Sequence, residues 1–64
     1  METYPFSIDD IVEVNGFRGK VVVLWHNVAY DIVDSITILF ECGTRETFDE
    51  SQFDKIEIQE EANA

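Results

Sequence analysis

The sequence predicts an all-β domain of five short strands closed into one small barrel, with a short helical turn before the last strand. Three observations carry this. Residues 35–48 alternate Ile36, Ile38 and Phe40 with Thr37, Leu39 and Glu41, then turn at Cys42-Gly43 and return through Thr44 to Phe48; period-two alternation is the mark of a half-buried strand. Asn15-Gly16 stands between apolar residues, the strongest short hairpin signal, because both residues tolerate the positive φ of a type I′ turn. Asp49 and Gln52 occupy the two positions of a capping box ahead of Ile56 and Ile58.

Composition narrows the classes. The 64 residues form one domain, with a core of about residues 8–59 and a polar tail at 60–64, and 45% are hydrophobic, which argues against disorder. A chain this short buries only about 60% of its unfolded surface, so a large core and a deep substrate cavity are not both expected. The longest apolar run, Val21 to Trp25, is far short of the roughly 20 residues of a membrane span. The opening Met-Glu-Thr-Tyr-Pro-Phe lacks the basic and apolar regions of a signal peptide. One cysteine leaves no internal disulfide. Together these readings anticipate a cytoplasmic protein with no membrane contact.

Charge is the strongest compositional fact. Fourteen Asp and Glu face four Lys and Arg, a formal net charge of −10. Phosphates and anionic membranes repel such a chain, so direct nucleic-acid binding is not expected and a partner should be basic. The plain alternative is that the acidity serves solubility.

In chain order, Pro5 biases Tyr4 to extended backbone. Ser7 is read as the cap of a helical turn over residues 7–10. Residues 11–14 form the first strand, with Val12 and Val14 inward and Glu13 outward. The second strand starts at Phe17 and runs to about His26; Gly19 inside it marks a bulge or a close backbone approach. Residues 27–34 are too short and too β-branched for a helix; they extend the flanking strands or form an ordered loop. Phe53 returns to the core, and residues 54–58 make the last strand, with Ile56 and Ile58 inside. Residues 59–64 read as a fraying tail.

Asp10-Ile-Val-Glu-Val-Asn-Gly-Phe-Arg-Gly-Lys-Val-Val resembles the opening hairpin of KOW and Tudor-type SH3-like barrels. Phe40-Glu-Cys-Gly-Thr-Arg-Glu-Thr-Phe-Asp-Glu-Ser-Gln-Phe53 resembles the closing half of a Tudor domain. The resemblance covers most of residues 10–58 and implies an SH3-like barrel, a fold with many unrelated binding roles. Tudor domains that bind methylated residues hold the cation in an aromatic cage. Cys42 stands where that family often places a cage aromatic, which leaves Phe17, Trp25 and Tyr30. KOW domains contact RNA through basic loops, and here the matching hairpin offers only Arg18 and Lys20.

No catalytic residue, metal site or cofactor is expected. His26 and Cys42 are the only soft ligands, fewer than the four Cys or His of a structural zinc site. Cys42 reads as a turn residue and His26 as a strand-end residue, not as a nucleophilic pair. Asp49, Glu50 and Asp54 lack the ligand alternation and central Gly of an EF-hand and read as capping groups. Trp25 reads first as core. Val28, Tyr30 and Ile32, in the undecided segment, read as a partner site or dimer contact, flanked by Asp31 and Asp34, with Phe17 and Trp25 nearby.

Two functions are anticipated. One is a non-enzymatic interaction module that takes a basic protein surface through Val28, Tyr30, Asp31, Ile32, Asp34, Phe17 and Trp25. The other is a nucleic-acid mimic that inhibits a host DNA- or RNA-acting enzyme; small phage inhibitors are similar in size and charge. Carboxylates two residues apart on a strand stand about 6.6–6.8 Å apart, close to two base-pair rises of DNA. The acids group as Asp9-Asp10, Asp31 with Asp34, Glu46 with Asp49-Glu50, Asp54 with Glu57, and Glu60-Glu61.

Overall fold

The computed structural model describes residues 6–60. The readings at Tyr4-Pro5, at the opening residues and at 61–64 lie outside the described residues. Five strands, β1 (Ile11–Val14), β2 (Phe17–Asn27), β3 (Ile32–Phe40), β4 (Arg45–Asp49) and β5 (Ile56–Glu60), form one antiparallel sheet in the order β4-β3-β2-β1-β5. A 3-10 helix, η1 (Glu50–Lys55), links β4 to β5.

The all-β, five-stranded expectation holds; the closed barrel does not. Among the described residues β4 pairs only with β3, and β5 only with β1. The two edge strands are five residues each and are joined by η1 instead of a tight hairpin that would register one against the other.

The β1–β2 turn is as expected. Asn15 and Gly16 have φ of 54° and 85°, the double positive φ of a type I′ turn, and Val14 pairs with Phe17. The β3–β4 turn is different. Gly43 N–H donates to the Phe40 carbonyl at 2.9 Å, and Phe40 N–H to the Thr44 carbonyl at 2.8 Å. Gly43 has φ 96°, and Cys42 is not among the residues with positive φ. This is a three-residue loop ending in a left-handed glycine, so Cys42 does not fill the asparagine position of an Asn-Gly turn.

Residues 7–10 do not form a capped helical turn. Asp10 N–H donates to the Ser7 carbonyl at 3.1 Å, and Asp9 at φ 75° reverses the chain. The capping runs opposite to expectation: the Asp10 carboxylate accepts the Ser7 N–H at 2.8 Å. Asp10 is thereby buried and leaves the surface charge.

One face of the sheet is the core. Val12, Val14, Val21, Ile36, Ile38 and Phe40 are buried with Phe6, Val33, Phe48 and Ile56, and Leu24 and Phe53 pack against them. Val33 and Ile36 both face inward although three residues apart, because the β2–β3 register skips Asp34. A second skip at Val22 does the same for Val21 and Leu24. Such bulges switch the side-chain alternation and bend the sheet. Gly19 is not a bulge. It pairs with Phe40, and a Cβ there would stand 2.6 Å from Ile38 Cγ2 and 2.9 Å from the Leu39 carbonyl, so close approach is the reason for the glycine.

Asp49 caps η1, accepting the Ser51 N–H at 3.1 Å. Phe53 meets Phe6 edge-to-face, centroids 5.1 Å apart. The last strand begins at Ile56, not Asp54, and includes Gln59 and Glu60 of the expected tail. Ile56 is buried, but Ile58 is 36% exposed, as befits an edge strand of an open sheet.

Candidate functional site

Residues 27–34 resolve into a hairpin end. Asn27 pairs with Ile32, so the flanking strands extend into the segment and leave only Val28 to Asp31 as loop. Asn27 builds it. Its side-chain carbonyl accepts Ala29 N–H at 3.1 Å, and its backbone carbonyl accepts Tyr30 N–H at 3.3 Å. An asparagine that bonds its own backbone two residues on closes such a turn locally. Asp31, at φ 55°, returns the chain, and its carboxylate lies 3.0 Å from His26 Nε2. Asn27 Nδ2 donates to Asp34 at 3.2 Å.

With the polar groups tied back, the apolar ones project. Val28 is 83% exposed, Tyr30 75% and Ile32 41%. Trp25 is not core as expected: it is 52% exposed. It stands on the outer face, opposite Ser35, and its Nε1 donates to Thr37 Oγ1 at 2.8 Å. The reason is the skip at Val22, which turns Leu24 inward and Trp25 outward. Trp25, Val28, Tyr30 and Ile32 therefore cluster at one end of the β2–β3 ribbon, with Asp31 and Asp34 among them.

Phe17 does not join them. It lies eight residues from Trp25 on β2, about 26 Å along an extended strand, so the two cannot be walls of one aromatic cage. Phe17 is 66% exposed and borders a different hollow with Phe40, Cys42, Thr44 and Glu46. The sequence names Phe17, Arg18 and Lys20 at this end of the molecule but not the hollows they border. An open groove of about 330 Å³ there is lined by Ile11, Leu39 and Phe40, with Arg18, Lys20 and Glu41. Lys20 and Arg45 both pair with Leu39 from its two sides. Three of the four cations thus gather on the outer face of β2–β4, which cross-strand register alone could have revealed.

No group of His, Cys, Asp or Glu among the described residues is arranged to hold a metal ion. Cys42 is exposed and lies 3.4 Å from Thr44 Oγ1. Hydrogen bonding from the Thr44 side chain and backbone holds its thiol below the ordinary value. His26 and Cys42 lie at opposite ends of the β2–β3 ribbon and form no pair. No helix among the described residues is long and apolar enough to cross a membrane. No family model, curated protein or solved structure matches this chain.

Proposed function

We propose that this protein is a non-enzymatic interaction module that binds a basic protein surface through the β2–β3 hairpin end. The observation that carries the reading is the exposure of Val28 and Tyr30 on the turn, and of Ile32 at the start of β3 beside it, where the polar groups of the turn are bound internally. Such side chains give the monomer little when left in water, and tyrosine buries area at small entropic cost. Asp31 and Asp34 select a basic partner and raise the association rate. The strand order and the 3-10 turn before β5 support reading the fold as related to SH3-like barrels of Tudor or KOW type but left open in this chain; that fold hosts many binding roles. A cytoplasmic setting fits this reading.

A second reading, mimicry of nucleic acid, is favoured by one observation. Glu13 and Glu57 pair directly across β1 and β5; Asp54 and the cation Lys55 line the same hollow, and Gln59 Nε2 donates to Glu13. Like charges directly opposite destabilise a sheet, a cost the fold itself does not require.

Affinity capture from lysate at low and high salt, followed by titration of the captured partner, separates the two. The hairpin-end reading expects Tyr30→Ala to weaken binding by roughly 1–2 kcal/mol, with capture surviving high salt. Mimicry expects Tyr30→Ala to be silent, capture to be lost as salt screens the charges, and reversals at Glu13, Asp49 and Glu57 to accumulate.

A further inference from the structure

We infer that β4 is a self-complementary edge through which two copies of this chain pair, antiparallel, about a two-fold axis at Thr47. The backbone sets the register. Phe40 N–H bonds the Thr44 carbonyl, and the β3–β4 ladder runs on without a skip. Because ladder bonds alternate with a period of two residues, Thr44, Glu46 and Phe48 turn their backbone groups toward β3. Arg45, Thr47 and Asp49 therefore turn theirs outward, and all three are exposed. If Thr47 meets Thr47 of a second copy, the two exchange N–H and carbonyl bonds. In the same register Asp49 N–H faces the Arg45 carbonyl of the other copy.

The side chains match that register. The pairing sets each Arg45 directly opposite an Asp49, on the face where Thr47 meets its own copy. Opposite charges at such positions stabilise a sheet, and the symmetry repeats the pair. Asp49 keeps its cap, because a carboxylate has lone pairs beyond those used by Ser51. The other edge lacks this complementarity. Self-pairing of β5 about Ile58 sets Ile56 against Glu60 and Glu57 against Gln59, with no opposite-charge pair, and it has to cross the β1–β5 register skip at Gln59. Charged side chains and a bulge are two of the ways edge strands avoid pairing. The inference concerns an edge separate from the hairpin end and stands or falls apart from it. Two copies of net charge −10 repel, so the pairing should strengthen as moderate salt screens that repulsion.

The test is sedimentation of the purified chain over a concentration series, at low salt and at 0.15 M (where the Debye length is about 8 Å). The expected result is a monomer–dimer equilibrium that favours the dimer more at 0.15 M. Arg45→Asp, which sets two carboxylates opposite each other, should leave only monomer with an unchanged circular dichroism spectrum. On a Cys42→Ser background, Thr47→Cys should form a covalent dimer on mild oxidation, since paired Cα atoms about 5.5 Å apart lie within disulfide reach; Gln59→Cys on β5 should not. A monomer at every concentration, an Arg45→Asp dimer as strong as the wild type, or equal crosslinking at Thr47 and Gln59 would overturn the inference.

Discussion

The indole Nε1 of Trp25 donates a 2.8 Å hydrogen bond to Thr37 Oγ1, across the outer face of the β2–β3 ribbon. Thr37 Oγ1 in turn shares a 2.8 Å bond with Thr47 Oγ1 of β4. Three strands are thus tied on the side away from the core, and Thr37 is buried beneath them. Trp25→Phe keeps most of the ring and removes the donor. We expect a loss of about 0.5–1.5 kcal/mol by urea denaturation. Thr37→Val in the same background should then add less than it does in the wild type, because the two share one interaction.

Gly19→Ala should be among the more damaging small changes. Its methyl group would press on Ile38 Cγ2 at 2.6 Å and on the Leu39 carbonyl at 2.9 Å. The second obstacle is backbone and cannot rotate away. Overpacking of this kind costs about 1–3 kcal/mol, read as a lower urea midpoint. A variant as stable as wild type would mean that β2 and β3 are not this close.

Phe40 ties the core to the β3–β4 turn. It is buried and meets Phe48 edge-to-face, centroids 6.4 Å apart. Phe40→Ala should remove about 3–5 kcal/mol, close to the whole stability of a small domain. Loss of cooperative thermal unfolding is the expected readout.

Cys42 should react at lower pH than a free thiol. Hydrogen bonds from Thr44 favour its thiolate, and the thiolate is the species that alkylates. The pH profile of iodoacetamide labelling should therefore rise earlier than that of free cysteine, and Thr44→Val should move it back up. Cys42→Asn and Cys42→Asp should fold as well as the wild type, since both residues suit a turn.

Tyr30→Ala should leave stability within about 0.5 kcal/mol of wild type, because a side chain 75% exposed has little packing to lose. Asn27→Ala is the contrasting variant. It removes the acceptor for Ala29 N–H and the donor to Asp34, and should disorder the same turn, visible as increased amide exchange at Ala29 and Tyr30.

Local chemistry wrote much of this protein into its sequence. Asn15-Gly16 names its own turn because only positive-φ residues fit it, and the alternation of Ile36, Ile38 and Phe40 fixes which face of β3 is inside. The Asp49 cap is a contact two residues long, and it is where the sequence puts it. The exposure of Val28 and Tyr30 follows from their place between two strands. Pairing decided the rest. Trp25 looks like core in a run of apolar residues and lies outside because the β2–β3 register skips Val22. Ser7 looks like a cap, but the Asp10 carboxylate caps Ser7. Phe17 shares a residue type with Trp25 and Tyr30, yet β2 holds it at the far end. Whether five strands close or leave two free edges depends on how β4 and β5 are connected in space. Side-chain periodicity carries information about a strand's faces and none about its edges, so the open sheet is decided only by the assembled fold.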